Sequence, residues 1–509
     1  MSRPDVRAAR LLGAAVAVAL MAACAPSAAD PAADPAPTSG PATSSAPSRP
    51  KAAPPAQPVA LATDRGRQSG GIVAHGGGDA PYNYAPSILL EGGKHRMWWC
   101  SQLGAAAPGG DDVLYAESAS ADGPFAAPDG NPSVPVLSGS TAGFDAMHTC
   151  DPSVIKVDGT YYLYYTGAER DNHANGSAIG VATSKDGLTW TRAGRAIVVP
   201  SQDVLRANTY GAGQQSALWL DGWFYLMFTD TTGAAAGWNG AGQFVLRSKD
   251  PLFASGVQAL GPSGFQPVGD TKSKRTRSVV DAFSADWMYV AALRAFVIAH
   301  STDQGTTLTF WNKDFTAQPH PQVHIPGPWR EGPGLVRTAR GHAPVSPEDP
   351  CGRVAVDVVR ATVEGSANAP TDLAHFGLDL AGVPGCATKE AASVLNGFAV
   401  PSPANTTDLV LDGEVVRVER RSVSDRLAIK VLGRRPAVVD DLPVVAEIPA
   451  GVKAVKAPDG RYGLLLEDQL WVLGAGEVAA DVVALNSSEL TAVTKKVWDS
   501  YKKAGELRR

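Results

Sequence analysis

The chain has 509 residues, with 45 lysines and arginines against 50 aspartates and glutamates and a formal net charge of −5. No excess or stripe of positive charge is present, which excludes an electrostatic footprint for nucleic acid or anionic lipid. Past the first sixty residues the length suits one large or two ordinary domains, and 53 glycines with 39 prolines suit a turn-rich architecture.

The first element is an export signal. Arg3, Arg7 and Arg10 precede an apolar run from Leu11 to Met21, followed by Ala22-Ala23-Cys24. The run is shorter than the roughly 20 residues of a membrane span. Small residues directly before a cysteine resemble the lipobox of bacterial lipoproteins, which implies removal of the signal (residues 1–24) ahead of a lipidated Cys24. An ordinary soluble export signal is the alternative. Residues 25–64, rich in Ala, Pro, Ser and Thr, hold little that could anchor a core and read as a disordered tether. The expected product is an extracytoplasmic monomer on the outer face of the cell membrane, touching the membrane only through its lipid.

Setting Cys24 aside leaves Cys100, Cys150, Cys351 and Cys386, an even number in an oxidising compartment, so two disulfides are expected. Spacing does not fix their connectivity, although Cys100 with Cys150 and Cys351 with Cys386 keeps each bridge local. No Cys-x-x-Cys pair or nearby histidine suggests zinc.

From residue 65 the chain repeats itself. APSILLEGGKHRMWWCSQ from Ala85, DPSVIKVDGTYYLYYTG from Asp151 and QQSALWLDGWFYLMFTD from Gln214 are each an apolar run, a Gly-centred turn and an aromatic-rich run, the pattern of a β-hairpin. A Ser/Asn-x-Asp-like element follows each, with Asp122, Asp186, Asp250 and Asp314 spaced 64 residues apart. These four read as turn aspartates between outer strands. A fourth hairpin starts at Ser284 and a fifth at Glu331, and no continuous helical periodicity appears between Ile72 and Val363. The pattern predicts an all-β fold: a five-bladed β-propeller over residues 65–389, each blade about four strands. Residues 390–509 read as a C-terminal β-rich accessory region with hairpins from Leu409 and Arg461, ending in a helix from Ser487 or Ser488.

Cys150-Asp151-Pro152-Ser153-Val154, then Tyr161-Tyr162-Leu163-Tyr164-Tyr165, then Ser184 to Trp190 resembles glycoside hydrolase family 43 and the invertase-like propellers, over about residues 70–370. There an Asp-Pro opens an inner strand, an Asp-Gly forms the hairpin tip and Ser-x-Asp-Gly-x-x-Trp closes the blade. The resemblance implies hydrolysis of a glycosidic bond by paired carboxylates, one protonated to serve the leaving oxygen and one ionised. It also implies a carbohydrate partner, an oligo- or polysaccharide of arabinose-, xylose- or mannose-like sugars.

The chain departs from that family twice, with Ala85-Pro86 where the first blade has Asp-Pro and Gln214-Gln215 where the third has a Glu. The candidate catalytic residues are therefore Asp151, Glu331 of a Glu-Gly-Pro motif, and Asp286 at the fourth opening, with Asp79, Asp145, Asp230 and Asp281 in reserve. Tyr84, Trp99, Tyr210, Gln214 and Trp287 are the candidate substrate-binding residues, since an aromatic ring matches the CH face of a sugar. His148, His300 and His324 read as structural. No cofactor or metal is assigned, although relatives of this fold can hold a channel cation such as calcium. Two alternatives stand beside hydrolysis: a carbohydrate-binding propeller without catalysis, and a glycoside phosphorylase served by Arg170 and Arg206.

Overall fold

Apolar runs flanking Asp-Gly or Gly-Gly turns fold as antiparallel hairpins in the computed structural model, which describes residues 57–78, 80–104, 110–169, 174–404 and 406–507. The signal segment, Cys24, most of the tether, Asp79 and Arg170 lie outside the described residues. The described chain is mostly strand, divided among six sheets, none closed on itself. Among these residues no helix is long and apolar enough to cross a membrane.

Five strands open the five repeat units: β1 (Asn83–Glu91), β2 (His148–Val157), β3 (Ala212–Leu220), β4 (Ala285–Val290) and β5 (Glu331–Thr338). Each pairs antiparallel with the next strand of its own unit. The outermost strand of the fifth unit is Ala62–Gln68, which pairs with Pro370–Ala381. The expected tether thus gives way to strand at Ala62, where Arg67 binds Asp379 at 2.7 Å and Asp357 at 2.5 Å.

Neighbouring opening strands are tied by one repeated device, a short side chain accepting from the next strand's amide. Ser87 Oγ accepts from Val154 N at 3.0 Å, Ser153 Oγ from Ala217 N at 2.9 Å, Ser216 Oγ from Trp287 N at 3.4 Å, and Asp286 Oδ2 from Leu335 N at 2.7 Å. Gly334 holds this place on β5, where an added Cβ would stand 2.0 Å from Pro86 O. There β5 pairs directly with β1 in parallel register, Val336 to Ile88. Arg337, fully buried, lies among these groups. It donates to Ser216 Oγ at 3.1 Å, Ser87 Oγ at 3.3 Å and Trp287 O at 3.0 Å, and stands 3.1 Å from Asp286. Burial opposes the charge of its guanidinium and lowers its pKa, with Asp286 opposing that shift.

Both disulfides are present in the local pairing, Cys100–Cys150 and Cys351–Cys386, with Cα separations of 4.9 and 5.1 Å. The first joins β2 to Lys94–Ser101 of the preceding unit, immediately before Asp151.

The C-terminal residues form one small unit twice. Ala399–Pro401 leads to the hairpin Thr407–Leu411 and Glu414–Val418, the helix Arg421–Leu427, a parallel bridge from Val431 back to Ala399, and Val444–Ile448 parallel to the second hairpin strand. Ala454–Lys456 leads to the hairpin Arg461–Leu466 and Gln469–Ala475, the helix Glu477–Leu485, Leu490–Ala492 parallel to Ala454–Lys456, and Lys503–Glu506 parallel to the second hairpin strand. Leu409, Val416 and Leu427 share a core with Leu464, Ala479 and Val482. The expected terminal helix from Ser487 is cut short: Leu490–Ala492 is strand, the helix is confined to Lys495–Ser500 with Thr494 as its cap, and a final strand, Lys503–Glu506, follows it. Parallel pairing with Ala454–Lys456 takes the residues that helical periodicity had claimed.

Candidate functional site

Four of the opening strands begin with a bulge. The register slips between Tyr84 and Ser87, Cys150 and Ser153, Gly213 and Ser216, and Glu331 and Gly334. At the slips Ala85, Asp151, Gln214 and Gly332 have φ of +48, +50, +49 and +55°. For a residue with a Cβ that region costs on the order of 1–3 kcal/mol. Proline at 86, 152 and 333 follows three of the four, a residue whose missing N–H suits a bulge. The bulge takes a side chain out of the strand's alternation and re-aims it.

Asp151, buried, accepts from Tyr210 Oη at 3.2 Å, while Gln215 Nε2 donates to the Asp151 carbonyl. Burial pushes its carboxyl up to about 6, against the opposing hydrogen bonds of Thr166 and Tyr210. Glu331 accepts from Gln214 Nε2 at 2.7 Å. Burial and then the charge of Asp151 push it up to about 7, with the Gln214 donor opposing. Gln214 Oε1 finds no partner among the described residues. A turned amide would present that oxygen to a protonated Glu331, so glutamine can serve both charge states of its neighbour.

Two clefts meet here. One, of about 400 Å³, is lined by Tyr84, Asp151, Thr166, Tyr210 and Glu331 with the pair Asp111 and His148. The other, of about 600 Å³, is lined by Tyr210, Gln214, Trp238, Asp281, Trp329 and Glu331. Tyr210 and Glu331 belong to both walls, whereas Asp151 lines only the smaller cleft. In that cleft Asp111 accepts from Tyr82 Oη and bonds His148 Nδ1, a contact that raises the imidazole pKa. Cys100, Asp111 and Cys150 cluster closely, but both sulfurs are spent in the disulfide and cannot ligate a metal as thiolates.

The structure thus brings together Asp151, Glu331, Gln214, Tyr84 and Tyr210, sets the reserve Asp281 in the wall of the larger cleft, and gives Asp286, Trp99 and Trp287 other surroundings. Asp286 lines neither of these two clefts, but it shares a small cavity of about 30 Å³ with Asp151 and Gln214. It bonds Ser216 Oγ, Leu335 N and its own neighbour Trp287 N, and pairs with Arg337, so its oxygens are spent on structural contacts. Trp99 and Trp287 are fully buried and cannot stack on a sugar. The Trp99 indole donates to Asn83 Oδ1 at 2.9 Å, and Trp287 stacks on Phe296 with centroids 5.1 Å apart. Of the reserves, Asp145 is held by Tyr165 and Arg192, and Asp230 by Arg275. Arg206 spends its guanidinium on Thr231 O and Ala236 O.

Thr166, Trp329 and Asp111 are site residues that sequence reasoning passed over, and His148, read as structural, lines the smaller cleft bonded to Asp111. Thr166 was reachable by counting back from the Asp158-Gly159 turn, since the bulge sets it opposite Cys150.

No family model matches the chain, and no curated protein does. Similar solved structures include a family 117 glycoside hydrolase of the marine bacterium Zobellia galactanivorans, 13% identical, covering 63% of this chain and 91% of that one at a TM-score of 0.42. An α-L-arabinofuranosidase of Podospora anserina, solved with cellotriose, is 13% identical, covering 62% of this chain and 97% of that one at a TM-score of 0.38. The family 62 α-L-arabinofuranosidase catalytic domain of Coprinopsis cinerea is 12% identical, covering 62% and 97% at 0.39.

Proposed function

We propose that residues 65–389 are a five-bladed β-propeller of the kind represented by family 43 and the invertase-like enzymes, and that it hydrolyses a glycosidic bond. Residues 390–509 are then an accessory region. The cyclic order of the ties from β1 to β5 and back to β1 supports five blades. The observation that carries the reaction is a pair of carboxyls, Asp151 and Glu331, held near 6 and 7 against one cleft.

At a pH between those values Asp151 is largely ionised while Glu331 largely keeps its proton. Glu331 gives that proton to the glycosidic oxygen as the bond from the anomeric carbon breaks. Water adds to that carbon, and its proton passes to Asp151. Gln214 orients Glu331, and the Tyr210 hydroxyl holds Asp151. The substrate is an arabinose-, xylose- or mannose-like glycoside. Ala85, a methyl group at the first opening, favours a second reading, carbohydrate binding without turnover. No corresponding observation favours a phosphorylase, since Arg206 is engaged by backbone carbonyls.

The two disulfides support export, and with it the reading of Cys24 as a lipid anchor on the outer face of the membrane. A screen of aryl arabinosides, xylosides, galactosides and mannosides on the parent, Asp151→Asn and Glu331→Gln tests the reaction. Parent turnover should fall by about 10²–10⁴-fold in either variant. Saccharide binding with no turnover in any of the three would establish the second reading instead.

A further inference from the structure

The larger cleft is more than an extension of the smaller one. Trp238 is 84% exposed, the most exposed large apolar side chain described, yet its backbone is tightly held. Gly237 N donates to Ala241 O at 2.6 Å and Ala241 N to Trp238 O at 3.0 Å, while Arg206 ties Ala236 O to Thr231 O. Gly240, at φ +86°, packs so closely that an added Cβ would stand 2.8 Å from Thr231. In the same lining the Trp329 indole donates to Thr302 O at 2.7 Å, which fixes that ring. The lining also carries Asn208, Gln214 and Ser301, side chains that can donate and accept hydrogen bonds. An exposed indole on a held backbone beside polar side chains is the composition of a sugar-binding wall: a flat apolar face for the ring and hydrogen-bonding groups for its hydroxyls.

We propose that this cleft binds the leaving-group saccharide, so that the natural substrate is an oligo- or polysaccharide with sugar rings held on both sides of Glu331. The inference rests on the hydrolase reading, and the placement of the carboxyls gives it direction. Asp151 lines only the smaller cleft, so the anomeric carbon that water attacks lies there. Glu331 belongs to both walls and meets the oxygen between the two rings. The departing sugar then occupies the cleft of about 600 Å³, a size within the range of small-molecule sites.

Trp238→Ala and Trp329→Phe test this against arabinan-, xylan- and mannan-derived oligosaccharides of two to four rings, with aryl monosaccharide glycosides for comparison. Trp238→Ala should lower the ratio of kcat/KM on the oligosaccharide to kcat/KM on the aryl glycoside at least tenfold, with the thermal transition unchanged. An unchanged ratio in both variants would overturn the assignment. Binding separates this failure from failure of the hydrolase reading. Glu331→Gln titrated with the same oligosaccharides should quench indole fluorescence, and adding Trp238→Ala should weaken that binding at least tenfold, whether or not the parent turns anything over. Equal binding by the single and double variants would again overturn it.

Discussion

Glu331→Gln should stabilise the protein at alkaline pH while it disables the proposed acid. The folded state holds the Glu331 proton up to about 7, whereas the unfolded chain releases it near the ordinary glutamate value of 4.5. Between those values the folded state binds more protons, so its stability falls as pH rises through the window. Above the window, the distance from 4.5 to about 7, at about 1.36 kcal/mol per tenfold change in proton affinity, comes to about 3 kcal/mol. Discounted for partial exposure of the side chain, about 2 kcal/mol remains. Glutamine keeps the acceptor that Gln214 Nε2 uses and carries no charge into the wall. Urea denaturation followed by tryptophan fluorescence should therefore show Glu331→Gln more stable than the parent by about 2 kcal/mol near pH 8, with the two equal near pH 4. Equal stability at both values would mean that the carboxyl is hydrated and ordinary, and the acid assignment would fall with it.

Other outcomes follow from the buried ion pair, the bridges and the anchor. Arg337→Met leaves Asp286 buried without its counter-ion and should cost about 3–5 kcal/mol of unfolding free energy, measured by the same denaturation. Non-reducing peptide mapping should return Cys100 with Cys150 and Cys351 with Cys386, and free thiols at both Cys100 and Cys150 would refute that pairing. Cys24→Ser should move the protein from the membrane fraction to the medium, and continued membrane association would point to another tether.

Much of the strand framework was readable because the unit repeats. The 64-residue spacing of turn aspartates and the Asp-Gly tips mark hairpins whatever their surroundings, and Asp-Pro marks the bulge at Asp151. Side-chain direction was the harder matter. Trp98 and Trp99 point to opposite faces of one strand, yet both are fully buried, since the repeat units on either side cover both faces. Alternation could not tell a core indole from a sugar platform there. Asp286 looked like Asp151 because both sit at strand openings. What separates them is Arg337, 51 residues further on, which no local pattern connects to Asp286. The duplicated C-terminal unit was hidden for a similar reason: its copies share a hairpin and a helix, while their parallel strands are three to five residues long and carry little pattern.

The pH dependence of kcat/KM, on whichever glycoside the parent turns over, tests the central claim most directly. With Asp151 near 6 and Glu331 near 7, the account expects a narrow bell, its acid limb set by ionisation of Asp151 and its alkaline limb by loss of the Glu331 proton. In Glu331→Gln the alkaline limb should disappear and the residual rate should rise through about 6 to a plateau. A parent profile flat across this window, or an alkaline limb that survives Glu331→Gln, would contradict it.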